Sequence, residues 1–150
     1  MAPLFAFLHH LAAFTLFAAL AVELILIRDE LTVGRARRIQ VADMVFGISA
    51  GVLLAVGLLR VFYFEKGAHY YFHSWTFIAK LSLFVIVALL SIVPTIEFLS
   101  WRKGVQQGQA PSVPAHRLQS LRTIIHLELV GIVVIILMAA LMAKGVGLLL

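Results

Sequence analysis

AFLHHLAAFTLFAALAVELILI, residues 6–27, is long and apolar enough to cross a bilayer, yet it carries His9 and His10 near its start and Glu23 near its end. A helix rises about 1.5 Å per residue, so roughly 20 residues cover the hydrocarbon core. The run extends to 4–27, and three more follow at 42–64, 74–98 and 123–143. Barrel strands are roughly 10 residues long and alternate in polarity, so these four runs are helices. The expected fold is all-α, an integral membrane four-helix bundle forming one domain over residues 1–150.

Composition agrees. The 150 residues are 63% hydrophobic and 13% charged, with a mean hydropathy of +1.06. Soluble domains are about half apolar and a quarter charged. The first run ends in Arg28, Asp29 and Glu30 with no small-residue cleavage site, so it reads as a span and not a cleavable signal.

The cations set the orientation. The first connection holds Arg28, Arg35, Arg37 and Arg38, and the third holds Arg102, Lys103, Arg117 and Arg122. The second offers only Lys66. The positive-inside rule then puts both termini on the outer side of a bacterial inner membrane. The net charge of +5 follows from this topology and suits anionic lipid, so no nucleic-acid partner is expected. The absence of cysteine removes covalent c-type haem, cysteine-ligated clusters, thiolate metal sites and disulfides.

Depth sorts the polar residues into two layers. His9, His10, Arg60 and Lys80 fall in the outer half, with His69, Tyr70, Tyr71 and His73 in the loop. Glu23, Asp43, Glu97, Arg122, His126 and Glu128 fall in the cytoplasmic half. Charges near span ends snorkel, and a structural role is expected for Asp43, Arg60, Glu97 and Arg122, through contacts such as Arg60 with Glu65 or Arg122 with Glu97. The acidic layer reads either as a proton path or as structural pairs. Lys80 is deeper and costly unless paired. Adjacent histidines diverge by about 100°, so at most one of the two faces the bundle centre. His126 and Glu128 lie about 200° apart on their helix.

Gly47 and Gly51 suit close helix packing or, alternatively, a slot for a flat ring. Trp75, Tyr70, Tyr71 and Trp101 are placed for interfacial belts. Pro94 deprives the Leu90 carbonyl of its helical donor. The third connection, with Gly104, Gly108, Pro111 and Pro114, reads as flexible.

The motifs LHHLAAFTLFAALAVEL, LSIVPTIEFLSWR and HLELVGIVVIILMAALMAKGVG resemble a family of small four-span bacterial membrane proteins of unknown function. More distantly the chain is similar to the superfamily of HemJ-type protoporphyrinogen IX oxidases and CopD-like copper-resistance proteins, through His9 in the first helix and the Lys80–Leu81 pair in the third. That resemblance implies a bundle holding b-type haem in the outer half, near His9 and Lys80. The chain departs from HemJ in carrying His10, Glu23, Arg60, His126 and Glu128, and in its longer third connection.

Three functions follow as expectations. The first is a haem b protein with a redox role: His9 or His10 ligates iron, Lys80 or Arg60 pairs a propionate, and His126 ligates a second haem or partners Glu23. The second is a metal- or proton-handling protein, with His9 and His10 joined by His69 and His73 as ligands. The third is a cofactor-free subunit of a larger membrane complex or a homo-oligomer.

Overall fold

The computed structural model describes residues 2–64 and 67–147. Its helices are α1 (Ala2–Leu26), α2 (Val33–Leu59), α3 (Ala68–Phe72), α4 (Trp75–Ser100), α5 (Arg102–Gln106) and α6 (Ala115–Ala143), with a π-helical turn at Arg60–Phe64 continuing α2. Among the described residues there is no strand, and α1, α2, α4 and α6 are each long and apolar enough to span a membrane. Only 22% of the apolar window is buried in each of the first two spans and 17% in each of the last two, so most side chains face outward. Phe14, Ile25, Ile48, Leu89 and Val130 are among the exposed ones. In water such faces would be untenable, whereas lipid is as apolar as they are.

Two spans begin earlier than the apolar runs suggest: α2 starts at Val33 and not Ala42, and α6 at Ala115 and not Thr123. Hydropathy falls where Arg35, Arg37 and Arg38 begin, but a helix needs backbone partners, not apolar side chains. Thr32 supplies one, its hydroxyl accepting the Arg35 N–H at 3.2 Å, which is an N-cap. The third connection is also more ordered than expected. Its first half is α5, closed by a turn at Gly108 with φ +77°. α4 runs unbroken through the buried Pro94.

α1 packs chiefly on α2, and α4 on α6, so the bundle is two antiparallel hairpins joined face to face. Buried positions fall in helical stripes: Leu16, Leu20 and Glu23 on α1, continued by Ile27 just beyond its end; Ile39, Asp43 and Phe46 on α2; Leu121, Ile125, Glu128 and Ile132 on α6. Each stripe recurs every three or four residues, the period of one helix face. The glycines that matter for packing are not the expected ones. A Cβ on Gly47 or Gly51 would meet nothing within 4 Å, whereas on Gly131 it would lie 2.6 Å from Val87 Cγ2. Close approach therefore occurs between α6 and α4.

The two ends differ. At the end of the first and third connections, here the loop end, the main core continues through Ile27, Phe98, Trp101 and Leu121. Polar side chains there bind across helices. Arg122 donates from Nε and Nη2 to the Ile27 carbonyl at 3.2 and 3.1 Å, and from Nη2 to the Arg28 carbonyl at 3.1 Å. These carbonyls lie at the C-terminus of α1, where backbone acceptors lack helical donors. Glu97 pairs with Arg117 at 2.6 Å and not with Arg122. Trp101, expected in a belt, is buried and donates to Glu97 Oε1 at 3.1 Å. Gln40 donates to the Phe98 carbonyl at 2.8 Å.

At the opposite, termini end a smaller cluster of Val61, Tyr71 and Phe77 forms the core, so Tyr71 also leaves its expected place in a belt. The chain beyond α6 turns through Gly145 and Gly147. The Gly147 carbonyl accepts the Trp75 N–H at 3.0 Å, and the Val146 carbonyl accepts the Thr76 hydroxyl at 3.0 Å. Gly147 needs its φ of +93°, and a Cβ there would lie 2.5 Å from Trp75 Nε1.

Candidate ligand cavity

Between the two hairpins at the termini end is a half-open cavity of about 710 Å³, mouth included. α1 contributes His9, the end of α2 and its π turn contribute Gly57, Arg60 and Val61, and α4 contributes Phe77, Lys80, Leu81 and Phe84. Tyr71, Met142 and four further apolar residues, Leu53, Leu54, Leu58 and Ile135, complete the lining. His9 reaches this position because Gly57 has no side chain: a Cβ there would stand 3.1 Å from His9 Cε1. The imidazole thus lies in the α1–α2 seam. Lys80 Nζ sits 5.4 Å from the centroid of the Phe77 ring, a cation–π distance. The π turn places Arg60 on the same wall. Such one-turn bulges recur at functional sites, and nothing in the spacing of the sequence signals this one.

Three of the five expected cofactor-binding residues therefore meet. His10 does not: it is exposed, its ring stands 6.2 Å from that of His9 at 85°, and its Nδ1 donates to the Ala6 carbonyl at 2.7 Å. His126 belongs to the other end. It is exposed, its Nδ1 donates to the Arg122 carbonyl at 2.8 Å, and Arg28 Nη2 lies 3.4 Å from its Nε2. It neither lines the cavity nor partners Glu23. The expected Arg60 to Glu65 contact involves Glu65, which lies outside the described residues. His69 and His73 stack at 4.1 Å, with His73 Nδ1 donating to the His69 carbonyl. Among the described residues no three His, Asp or Glu side chains are arranged to hold a metal ion.

The acidic layer divides. Glu97 is the structural pair described above. Glu23, Glu128 and Asp43 are buried, at 1%, 0% and 9% exposure. Asp43, expected to snorkel, instead accepts the Thr95 hydroxyl at 2.7 Å. Its register between Ile39 and Phe46 is the sequence signal for that burial.

A second, central cavity, about 810 Å³ with its open edge counted, is lined mainly by apolar residues from the middle of the spans. It shares Leu53, Phe84 and Ile135 with the first, and Gly47 and Thr95 are on its wall.

Four membrane-length helices with outward apolar faces, paired as hairpins around a small buried core, define a multi-pass helical-bundle membrane protein. The model of the family described as "Predicted membrane protein (DUF2214)" matches residues 2–147, and the chain belongs to that family. No curated protein and no solved structure matches it.

Proposed function

We propose that the cavity at the termini end binds haem b and that the protein has a redox role in the bacterial inner membrane, with the termini on the outer side. The observation that carries this reading is the convergence of His9, Arg60 and Lys80, from different parts of the chain, on one otherwise mainly apolar cavity. The donor set suits the group. A neutral imidazole is an axial ligand, two cations match two propionates, and the apolar wall accepts the macrocycle. Bound there, haem would supply one-electron chemistry.

The chain's own contributions are positional. Gly57 lets the His9 ring lie in the helix seam, and Phe77 flanks the Lys80 ammonium. Arg60 and Lys80 bring cationic side chains to the cavity wall, where they would face the carboxylates of an amphipathic ligand. The likeness to HemJ-type proteins supports the reading only through His9 and the Lys80–Leu81 pair.

The test is an absorbance spectrum of the full-length protein purified in detergent from haem-replete cells, oxidised and then dithionite-reduced. A Soret band and a reduced α band are expected, and His9→Ala should remove both while His10→Ala leaves them. Lys80→Met and Arg60→Met should each weaken haem binding about two- to five-fold, as for a half-exposed charge pair worth about 0.5–1 kcal/mol. A featureless wild-type spectrum, or full haem retention in His9→Ala, overturns the assignment.

A further inference from the structure

The three buried carboxyls belong to three different helices, α1, α2 and α6, and each occupies a core position of its stripe. α1 packs against both α2 and α6, so the three carboxyls stand in the buried stripes of adjoining helices. Yet Glu23 Oε1 and both carboxyl oxygens of Glu128 meet no hydrogen-bond donor. An ionised carboxylate withdrawn from water costs several kcal/mol unless its charge is met, and three together repel one another. Something must therefore neutralise them.

The side chains facing the trio do not supply that charge. From α4, Thr95 offers a hydroxyl to Asp43, and one turn before Asp43 on α2 the Gln40 amide is used by the Phe98 carbonyl. On α6, Arg122 is committed to the α1 carbonyls, and His126 points to the exposed face beside Arg28. The trio is not arranged to hold a metal ion either. A proton needs no coordination cage, only one oxygen at a time. Thr95 both donates to Asp43 and lines the central cavity, so one hydroxyl stands between that cavity and Asp43.

We propose that Glu23, Asp43 and Glu128 form a proton-binding site within the membrane, reached from the central cavity past the Thr95 hydroxyl. A carboxylate oxygen takes a proton from water and becomes a neutral carboxylic acid, and release returns the proton to water. Glu23 and Glu128 are the exchanging groups, and Thr95 positions Asp43. The site is separate from the histidine cavity and stands whether or not that cavity takes haem.

The full-length protein in phosphatidylcholine–phosphatidylglycerol vesicles, followed by infrared difference spectroscopy between acidic and alkaline buffers, tests this. The wild type should show a protonated-carboxyl band typical of dry surroundings that appears and disappears reversibly with pH and shifts in D2O. Glu23→Gln and Glu128→Gln should each remove one carboxyl's share, and Thr95→Val should move the Asp43 component. Exchanging sodium for choline should change nothing. The proposal fails if folded wild type shows no such band at any pH, or if neither Gln variant diminishes it. It also fails if sodium abolishes the band at constant pH, which would make this a sodium site. The wild-type measurement decides even if a variant does not fold.

Discussion

At the loop end of the bundle the helices close on a continuous core, and acidic side chains are buried in it without cations. At the termini end the core is a small cluster beside a cavity, and the ionisable groups on its walls are His9, Arg60 and Lys80. The two ends handle polarity in opposite ways. Where packing is dense, only a group that can become neutral is tolerable, and a carboxyl can. Where it is open, permanent charge can stay near water or headgroups, so arginine and lysine are affordable. The same four helices thus bury acidic groups in the packed core near one end and line a half-open cavity with basic ones at the other, and Leu53, Phe84 and Ile135 are shared by that cavity and the apolar central one.

Substitutions that remove packing should separate the ends most. Leu20→Ala, at a residue with 0% exposure, should cost at most the ~2–5 kcal/mol seen in soluble cores. Part of that range is transfer from water, which lipid does not supply. Leu81→Ala, on the cavity wall, should cost well under half as much in the same thermal melts in lipid nanodiscs; equal losses would mean the ends are packed alike.

Arg122→Ala should lose about 1.5–3 kcal/mol, the range for hydrogen bonds from a charged donor, in the same assay. Arg122→Lys should recover only part of it, because an ammonium cannot repeat the fork to two carbonyls. Gly131→Ala should cost about 1–3 kcal/mol by forcing α6 from α4. Adding Val87→Ala should return most of that loss, and a double variant no better than the single would remove the close-approach explanation. Thr95→Val leaves one Asp43 oxygen without its donor, for a loss of about 1 kcal/mol. Arg37→Ala, exposed and outside every feature above, should stay within about 0.5 kcal/mol.

Much of this was legible in the sequence. Apolar length located all four spans, and depth placed His9, Arg60 and Lys80 at one level, where they share a cavity. The approximate 200° between His126 and Glu128 separated an exposed residue from a buried one. The burial of Asp43 was legible too, but only through its register with Ile39 and Phe46; distance from the span end pointed the other way. Other features depend on pairings that spacing does not encode. Glu97 chose Arg117 over Arg122 because the third connection folds back as α5, and Arg122 was drawn to carbonyls that exist only once α1 ends beside it. Gly57 and Gly131 act through whichever helix happens to face them, whereas Gly47 and Gly51 had the familiar spacing and no close neighbour.

The Arg122 fork also sets a timetable. It joins residues 95 positions apart in the chain, and ribosomes add about 5–20 residues per second. For roughly 5–20 s after α1 emerges, its terminal carbonyls must wait for their partner. During that interval the first hairpin is already in the membrane with Glu23 and Asp43 aboard and neither α6 nor Glu128 yet present. The burial of the three carboxyls together is therefore a product of late assembly, and a nascent chain arrested before α6 would expose two of them on the face that α4 and α6 later cover.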